Sequence, residues 1–303
     1  MENRLKQVLK NKGENYILPF YWQHGEDEKT LRLGLEKIHQ AGIGAICVES
    51  RPHPDFLGPR WWSDLDIIMD EARKRKMQVW VFDDSHFPTG YANGAVKLYP
   101  KAGKSYLTHY CIDVIGPLKK AAFMVDIKTD EHHDEQLIAV IGGKRNRNNP
   151  FTISDPLDLT DLVTDDLLYW DVPEGFWCIT VIKTTRKGIG RPHYINVIDE
   201  DAVKLLIDTV YEPHYRRYKA DFGSTFAGFF SDEPELGNAA GGKYGHRAVI
   251  GTHDLPLPWS RELEQQLMSL WQDDYGIKLV GLWHDIEGSS LEKSQKSPAA
   301  RYD

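Results

Sequence analysis

FAGFFSDEPELG, residues 226–237, decides how this chain is read. Phe226 to Phe230 form an apolar run of strand length. Asp232, Glu233 and Glu235 follow at once, interrupted only by Pro234. On a regular strand Asp232 and Glu233 would face opposite ways. A turn at the strand end brings both to a rim, and Pro234 stops ladder pairing there. The stretch therefore reads as a buried strand that delivers carboxylates to a cleft. The plainer alternative, a carboxylate that caps a helix or faces solvent, is preferred for Glu235 alone.

Working back from this strand, the first hundred residues alternate strand and helix. YILPFYW (16–22) is a strand candidate, and DEKTLRLGLEKIHQAG (27–42) carries an approximate helical stripe of Leu31, Leu33, Leu35 and Ile38, with Gly42 as its C-cap. IGAICVES (43–50) is a nearly continuous apolar run, as in a parallel strand buried on both faces. SDLDIIMDEARKRKM (63–77) is a helix with Ser63 as N-cap and Leu65, Ile68, Met69 and Ala72 on one face. QVWVFDD (78–84) is the third strand. This rhythm implies a parallel sheet with right-handed crossovers.

The helical period then disappears. YLTHYCIDVIG, KKAAFMVDI, EQLIAVIGG and EGFWCITVIKTT read as strands separated by turn residues, hence a small antiparallel β domain. In its loops His132 and His133 are adjacent, so a strand would point them apart, which argues against a shared metal. Helix returns at residues 199–223, with Asp199 as cap, Val203, Leu206, Ile207 and Val210 as apolar face, and Gly223 as stop. Beyond a glycine-rich loop (237–251), PWSRELEQQLMSLWQDDYG (258–276) is another helix, capped by Ser260 and ended by Gly276. The expected architecture is an α/β domain of (β/α)8 barrel type over residues 1–105 and 190–303, with an antiparallel β domain inserted over 106–189. Only four strand–helix units are visible, whereas a full barrel takes about 250 residues. The sheet is either open, or the 303 residues cover part of a barrel.

Composition narrows the function classes. The chain is 41% hydrophobic and carries a net charge of −8, with no basic stripe beyond RKRK (73–76), where a helix end accommodates cations. Nucleic acid is not an expected partner. No apolar stretch reaches a membrane span, and the N-terminus has no apolar signal core, so a cytoplasmic protein that contacts no membrane is expected. Cys47, Cys111 and Cys178 are widely spaced and form no CxxC, which fits a reducing compartment. Nine Trp and fourteen Tyr are numerous enough to serve as platforms for flat ligands as well as packing.

In parallel α/β folds, functional groups gather at the carboxyl ends of strands. Those ends hold Trp22, Gln23 and His24; Glu49, Arg51 and His53; Asp83, Asp84 and His86; and Asp232 with Glu233. Four polar ends in a row mark an active-site rim. A carboxyl beside aromatic rings and a like charge has a raised pKa and can act as an acid near neutrality. Trp61 and Trp62 could stack on a sugar, although a packing pair at a helix start is the favoured reading.

FFSDEPELG resembles the fourth-strand motif of (β/α)8 glycoside hydrolases, where a carboxamide residue and a Glu end the strand. VWVFDDSHFPTGYANG (79–94) is similar to a segment of large bacterial glycosidases related to the α-L-rhamnosidases. PWSRELEQQLMSLWQDDYGIKL (258–279) and the terminal RYD are similar to later parts of the same proteins. The resemblance covers most of residues 16–100 and 190–303. It implies a glycosidase acting on a plant- or microbe-derived oligosaccharide, with Glu233 as general acid. Asp232 stands where the family has Asn, either holding a sugar hydroxyl or forming the ionised member of the pair. Trp22, His24, Glu49, Arg51, Asp83, Asp84 and His86 would then contact the carbohydrate. The second carboxylate that hydrolysis requires is expected on a later strand.

Two other classes use the same residues. A metal-dependent barrel enzyme would ligate Mg²⁺, Ca²⁺ or Zn²⁺ through His24, Glu49, Asp83, Asp84 and Asp232, without HExxH or DxDxDG spacing to support it. A carbohydrate-binding or degenerate barrel would lack turnover. No cofactor is expected, apart from an optional cation such as Ca²⁺, and KGIGRPH (187–193) lacks the dinucleotide fingerprint.

Overall fold

The computed structural model describes residues 17–130, 133–186, 193–236 and 256–287, together with residues 6, 9 and 191. In chain order they form β1 (Phe20–Gln23), α1 (Glu28–Gln40), β2 (Ala45–Ser50), α2 (Pro59–Arg75) and β3 (Gln78–Phe82). Four long strands follow: β4 (Tyr106–Met124), β5 (Gln136–Arg145), β6 (Thr152–Asp158) and β7 (Leu167–Thr185). Then come α3 (Glu200–Leu206), a π-helical turn (Ile207–Tyr211), α4 (Glu212–Tyr218), β8 (Phe226–Phe230), α5 (Arg261–Trp271) and α6 (Tyr275–Val280). The fold is mixed α/β. It divides into two compact units, Met1–Ala102 with His193–Glu235, and Gly103–Pro192 with Leu236–Asp303.

In the first unit the sheet runs β1-β2-β3-β8, parallel throughout, so all four carboxyl ends lie along one edge. Leu31 and Leu35 of α1 and Leu65, Ile68 and Met69 of α2 pack with Ile46, Val48, Val79 and Val81. Each such fully buried side chain stabilises the fold by about 1.5–3 kcal/mol. Leu33, expected in the stripe, is 47% exposed, because the true stripe spaces Leu31 and Leu35 four apart. Asp27 caps α1 and Asp199 caps α3. The α2 helix starts at Pro59, not after Ser63, since a proline at the first helical position needs no amide partner. Trp61 thereby becomes a core residue, and Trp62 packs on His214 at 4.8 Å and under the Arg217 guanidinium at 5.6 Å. The RKRK run is spent on ion pairs: Arg73 with Asp221, Lys74 with Asp70, Arg75 with Glu71.

The sheet face turned away from the helices carries Phe20, Trp22, Cys47, Glu49, Trp80 and Phe230, by the alternation of each strand. β1 and β8 are opposite edge strands, about 14 Å apart in a flat sheet. Yet the Phe20 and Phe230 rings meet edge to face at 5.4 Å. The sheet is therefore curled, with this face concave. Gly228 permits the curl: at φ +156° it breaks the β8 register, and a Cβ there would sit 3.1 Å from the Trp80 ring.

In the second unit a sheet runs β4-β7-β5-β6, antiparallel, with Leu257–Pro258 beside β4 and Asp285–Ile286 parallel to β6. YLTHYCIDVIG and KKAAFMVDI are one strand, β4, and residues 152–158 add a strand not anticipated. One face packs Leu107, Ile141 and Ile182 with Trp259, Leu279, Val280 and Trp283; the other packs Val140, Trp170, Trp177, Ile179 and Val181. Of residues 190–303, expected to complete the α/β part, His193–Glu235 join the parallel unit, but Leu236–Asp303 group with the antiparallel one. Leu263, Leu267 and Trp271 of α5 pack with the antiparallel sheet, because an amphipathic stripe does not encode which sheet it covers. Nor does Gly276 stop a helix: it lies buried within α6, where a Cβ would meet the Asp158 carboxylate at 2.5 Å. No described helix is long and apolar enough to cross a membrane. The expectations for the side chains of His132 and His133, the 237–251 loop, most of KGIGRPH and the terminal RYD fall outside the described residues.

Candidate active site at the edge of the parallel sheet

The four strand exits carry the residues named from sequence. Trp22 is 51% exposed and stands in register with Glu49, so both belong to the concave face. Arg51 donates to Glu49 at 2.7 Å, and its guanidinium lies 5.2 Å from the Trp22 ring and 5.9 Å from Phe87. This holds a cation and an aromatic plate side by side. His24 pairs outward with Glu26 at 2.9 Å. His53 turns inward: its Nδ1 accepts from the Asp55 amide, so Nε2–H donates to Asp64 at 3.0 Å.

Asp83 and Asp84 are adjacent and wholly buried, with different partners. Asp84 accepts from the backbone N–H groups of Ser85, Gly90, Tyr91, Ala92 and Asn93 at 2.6–2.9 Å. The positive φ angles of Ala92, Asn93 and Gly94 curl that backbone into a nest around the carboxylate. Both oxygens are thereby engaged. Gly90, at φ +135°, lies where a Cβ would be 2.1 Å from the Tyr194 ring, so only glycine fits. His86 packs on Tyr91 at 4.2 Å, on the outside of this loop.

Asp83 instead accepts from hydroxyls: Thr89 Oγ1 at 2.5 Å and Tyr211 at 2.5 Å. Burial raises its pKa above the usual carboxylate range, against the lowering effect of Thr89, Tyr211 and Ser231, with Asp84's charge adding to the rise. The π-helical turn 207–211 carries Tyr211 to this point, and such turns recur at functional sites. Thr89 also ties two strand exits together. Its Oγ1 accepts from the Asp232 amide at 2.9 Å, and its own amide donates to the Asp232 carbonyl at 3.0 Å. Tyr194 donates to the Thr89 carbonyl and accepts from the Glu235 amide at 2.8 Å.

Asp232 is thus clamped on both sides of its peptide. Glu233, directly after it, is exposed and sits at φ +43°, a conformation uncommon for a non-glycine residue. The carboxylates converge from three strands. Burial, then the charges of Glu49, Asp83 and Asp232, push the Cys47 thiol up to about 12. Among the described residues the rim carboxylates do not form a group with metal-ligand spacing. Thr89, Tyr194 and Tyr211 were not singled out from sequence. Thr89 could have been, since it follows the Asp pair in the same loop; Tyr211 sits on a distant helix with no local signal.

No protein-family model matches the chain, and no curated protein matches it. The structure is similar to that of a rhamnosidase from Novosphingobium sp. PP1Y, with a TM-score of 0.54 and 11% identity. The likeness covers 93% of this chain and 43% of that one. At this identity it is a likeness of fold, and the chain spans less than half of that enzyme's length.

Proposed function

We propose that the protein is a glycoside hydrolase of (β/α)8 type in which Glu233 protonates the leaving glycosidic oxygen. The observation that carries this reading is the convergence of Glu49, Asp83 and Asp232 around Cys47 at one sheet edge, with Glu233 next in the chain. The curl of β1-β2-β3-β8 is the curvature a barrel wall needs. The fold likeness to a rhamnosidase adds support for a glycosidase. Trp22 and Arg51 supply a stacking plate and a hydroxyl donor for a sugar ring, with His24 and His86 at the outer margin. Asp232 holds a sugar hydroxyl. Asp83 and Asp84 act as positioning residues, through Thr89 and through the loop amides. The partner carboxylate is assigned to a later strand of the barrel.

The test is Glu233→Gln in the whole protein. General acid catalysis is worth about 10²–10⁴ in rate. Hydrolysis of glycosides with poor leaving groups should fall by that order, and activated aryl glycosides should suffer less. Asp232→Asn should be milder, because it restores the carboxamide of the related glycosidases. Unchanged rates in Glu233→Gln would overturn the assignment. Sugar binding without turnover in the wild type would leave a carbohydrate-binding barrel instead.

A further inference from the structure

The two remaining cysteines lie in the antiparallel unit. Cys111 on β4 pairs opposite Thr180 on β7, and Cys178 pairs opposite Asp113. Cys111, Cys178 and Thr180 therefore project from one face of the sheet. His284, just beyond α6, turns back onto that face. Its Nε2 lies 3.7 Å from Cys111 Sγ and 3.1 Å from Thr180 Oγ1. Thr180 Oγ1 is 3.7 Å from Cys111 Sγ and 3.6 Å from Cys178 Sγ. One ligand atom from each of Cys111, Cys178 and His284 falls within 4.8 Å of the others.

Tetrahedral zinc with thiolate and imidazole ligands spaces its donor atoms about 3.3–3.8 Å apart, given bonds of roughly 2.3 and 2.0 Å. The Cys111–His284 separation of 3.7 Å falls in that range, and the Thr180 hydroxyl lies within 3.1–3.7 Å of all three donor atoms. The donor set is also right for charge. Two thiolates and a neutral imidazole bring Zn²⁺ to net zero, the state an apolar surrounding tolerates. On the inner side that surrounding is present: Leu107, Ile141, Ile182, Leu279, Val280 and Trp283 pack with Cys178, while Cys111 lies at the exposed margin of the site. His109, two residues before Cys111, stacks on Trp283 at 4.5 Å.

We propose that Cys111, Cys178 and His284 bind a structural zinc ion that clasps the segment after α6 to the antiparallel sheet. The three ligands come from positions far apart in sequence, so the ion would close two long loops and contribute directly to folding. The clasp is independent of the glycosidase reading, because no residue of the sheet edge takes part.

The experiment uses the full chain, purified under reducing conditions and stripped with a chelator. Titration with Co²⁺ should produce thiolate-to-metal charge-transfer absorption and intense visible bands of a tetrahedral site, saturating at about one equivalent. Zn²⁺ should displace the cobalt and raise the melting temperature. Cys178→Ser and His284→Gln should each weaken binding about tenfold or more, whereas Cys47→Ser should leave it unchanged. If the variants do not fold, the wild-type titration decides alone. Absence of the charge-transfer band or a zinc-independent melting temperature would each overturn the proposal.

Discussion

The edge of the parallel sheet and the face of the antiparallel sheet collect reactive side chains by different means. At the parallel edge each residue sits within a few positions of an apolar strand, and the fold only has to align four strand ends. Backbone amides and hydroxyls then hold those residues, as the nest around Asp84 and the Thr89 clamp do. On the antiparallel face Cys111, Cys178 and His284 come from two strands and a turn after a helix, and only the assembled sheet brings them together. A site of the first kind is placed by its own strand exits and loops, and a few distant side chains such as Tyr211 and Tyr194 then fasten it. A site of the second kind depends on long-range packing.

The sharpest way to break this contrast is Asp84→Ala. It leaves five loop amides without their acceptor. The expected loss is about 3–5 kcal/mol, with fast amide exchange over residues 85–93 and loss of whatever activity the edge supports. Unaltered exchange in that loop would mean that the nest is not what holds it.

A pH measurement is next in size. His214 is buried, accepts from Trp61 Nε1–H at 3.1 Å and donates from Nδ1 to the Val210 carbonyl at 2.7 Å. Both contacts suit the neutral ring, and burial lowers its pKa from 6.5 to about 4. The unfolded chain takes up a proton below 6.5 that the folded chain refuses, so stability should fall as pH drops from about 6.5 to about 4. The full effect is about 3 kcal/mol. Asp83 works in the opposite direction. Its raised pKa means the folded chain keeps a proton the unfolded chain releases, so its contribution is lost as pH rises through the folded value. Denaturant titrations of wild type and His214→Gln across this window should show a reduced acid slope in the variant. An identical slope would place the titration elsewhere.

The smallest effect sharpens the other half of the comparison. Ser260 accepts from the Leu263 amide at 3.1 Å and caps α5. Ser260→Ala should cost about 1 kcal/mol, with raised amide exchange in the first turn of α5 and no change over residues 85–93.

Much of the parallel unit was legible in the residues themselves. Apolar runs marked β2, β3 and β8, and the cap Asp199 marked the start of α3, as Ser260 did for α5 in the other unit. The α2 start was misjudged because a serine inside a helix looks like a cap until Pro59 is seen to begin it. The rim was legible as a set of positions, but not as a set of roles. Asp83 and Asp84 are indistinguishable in the sequence, and only the path of the following loop gives one to amides and the other to hydroxyls.

Sequence alone determined the alternation of strand and helix in the first hundred residues and the change to strands after it, because strand and helix periods are local consequences of side-chain spacing. It also determined that carboxylates would stand at the exits of parallel strands, since the backbone carries them there. Tertiary structure alone decided that α5 covers the antiparallel sheet, that Tyr211 reaches Asp83, and that two cysteines meet a histidine. The physical reason is common to all three. Burial and hydrogen bonding reward any partner of suitable shape and chemistry, and the chain's own order does not say which distant partner the packing will bring.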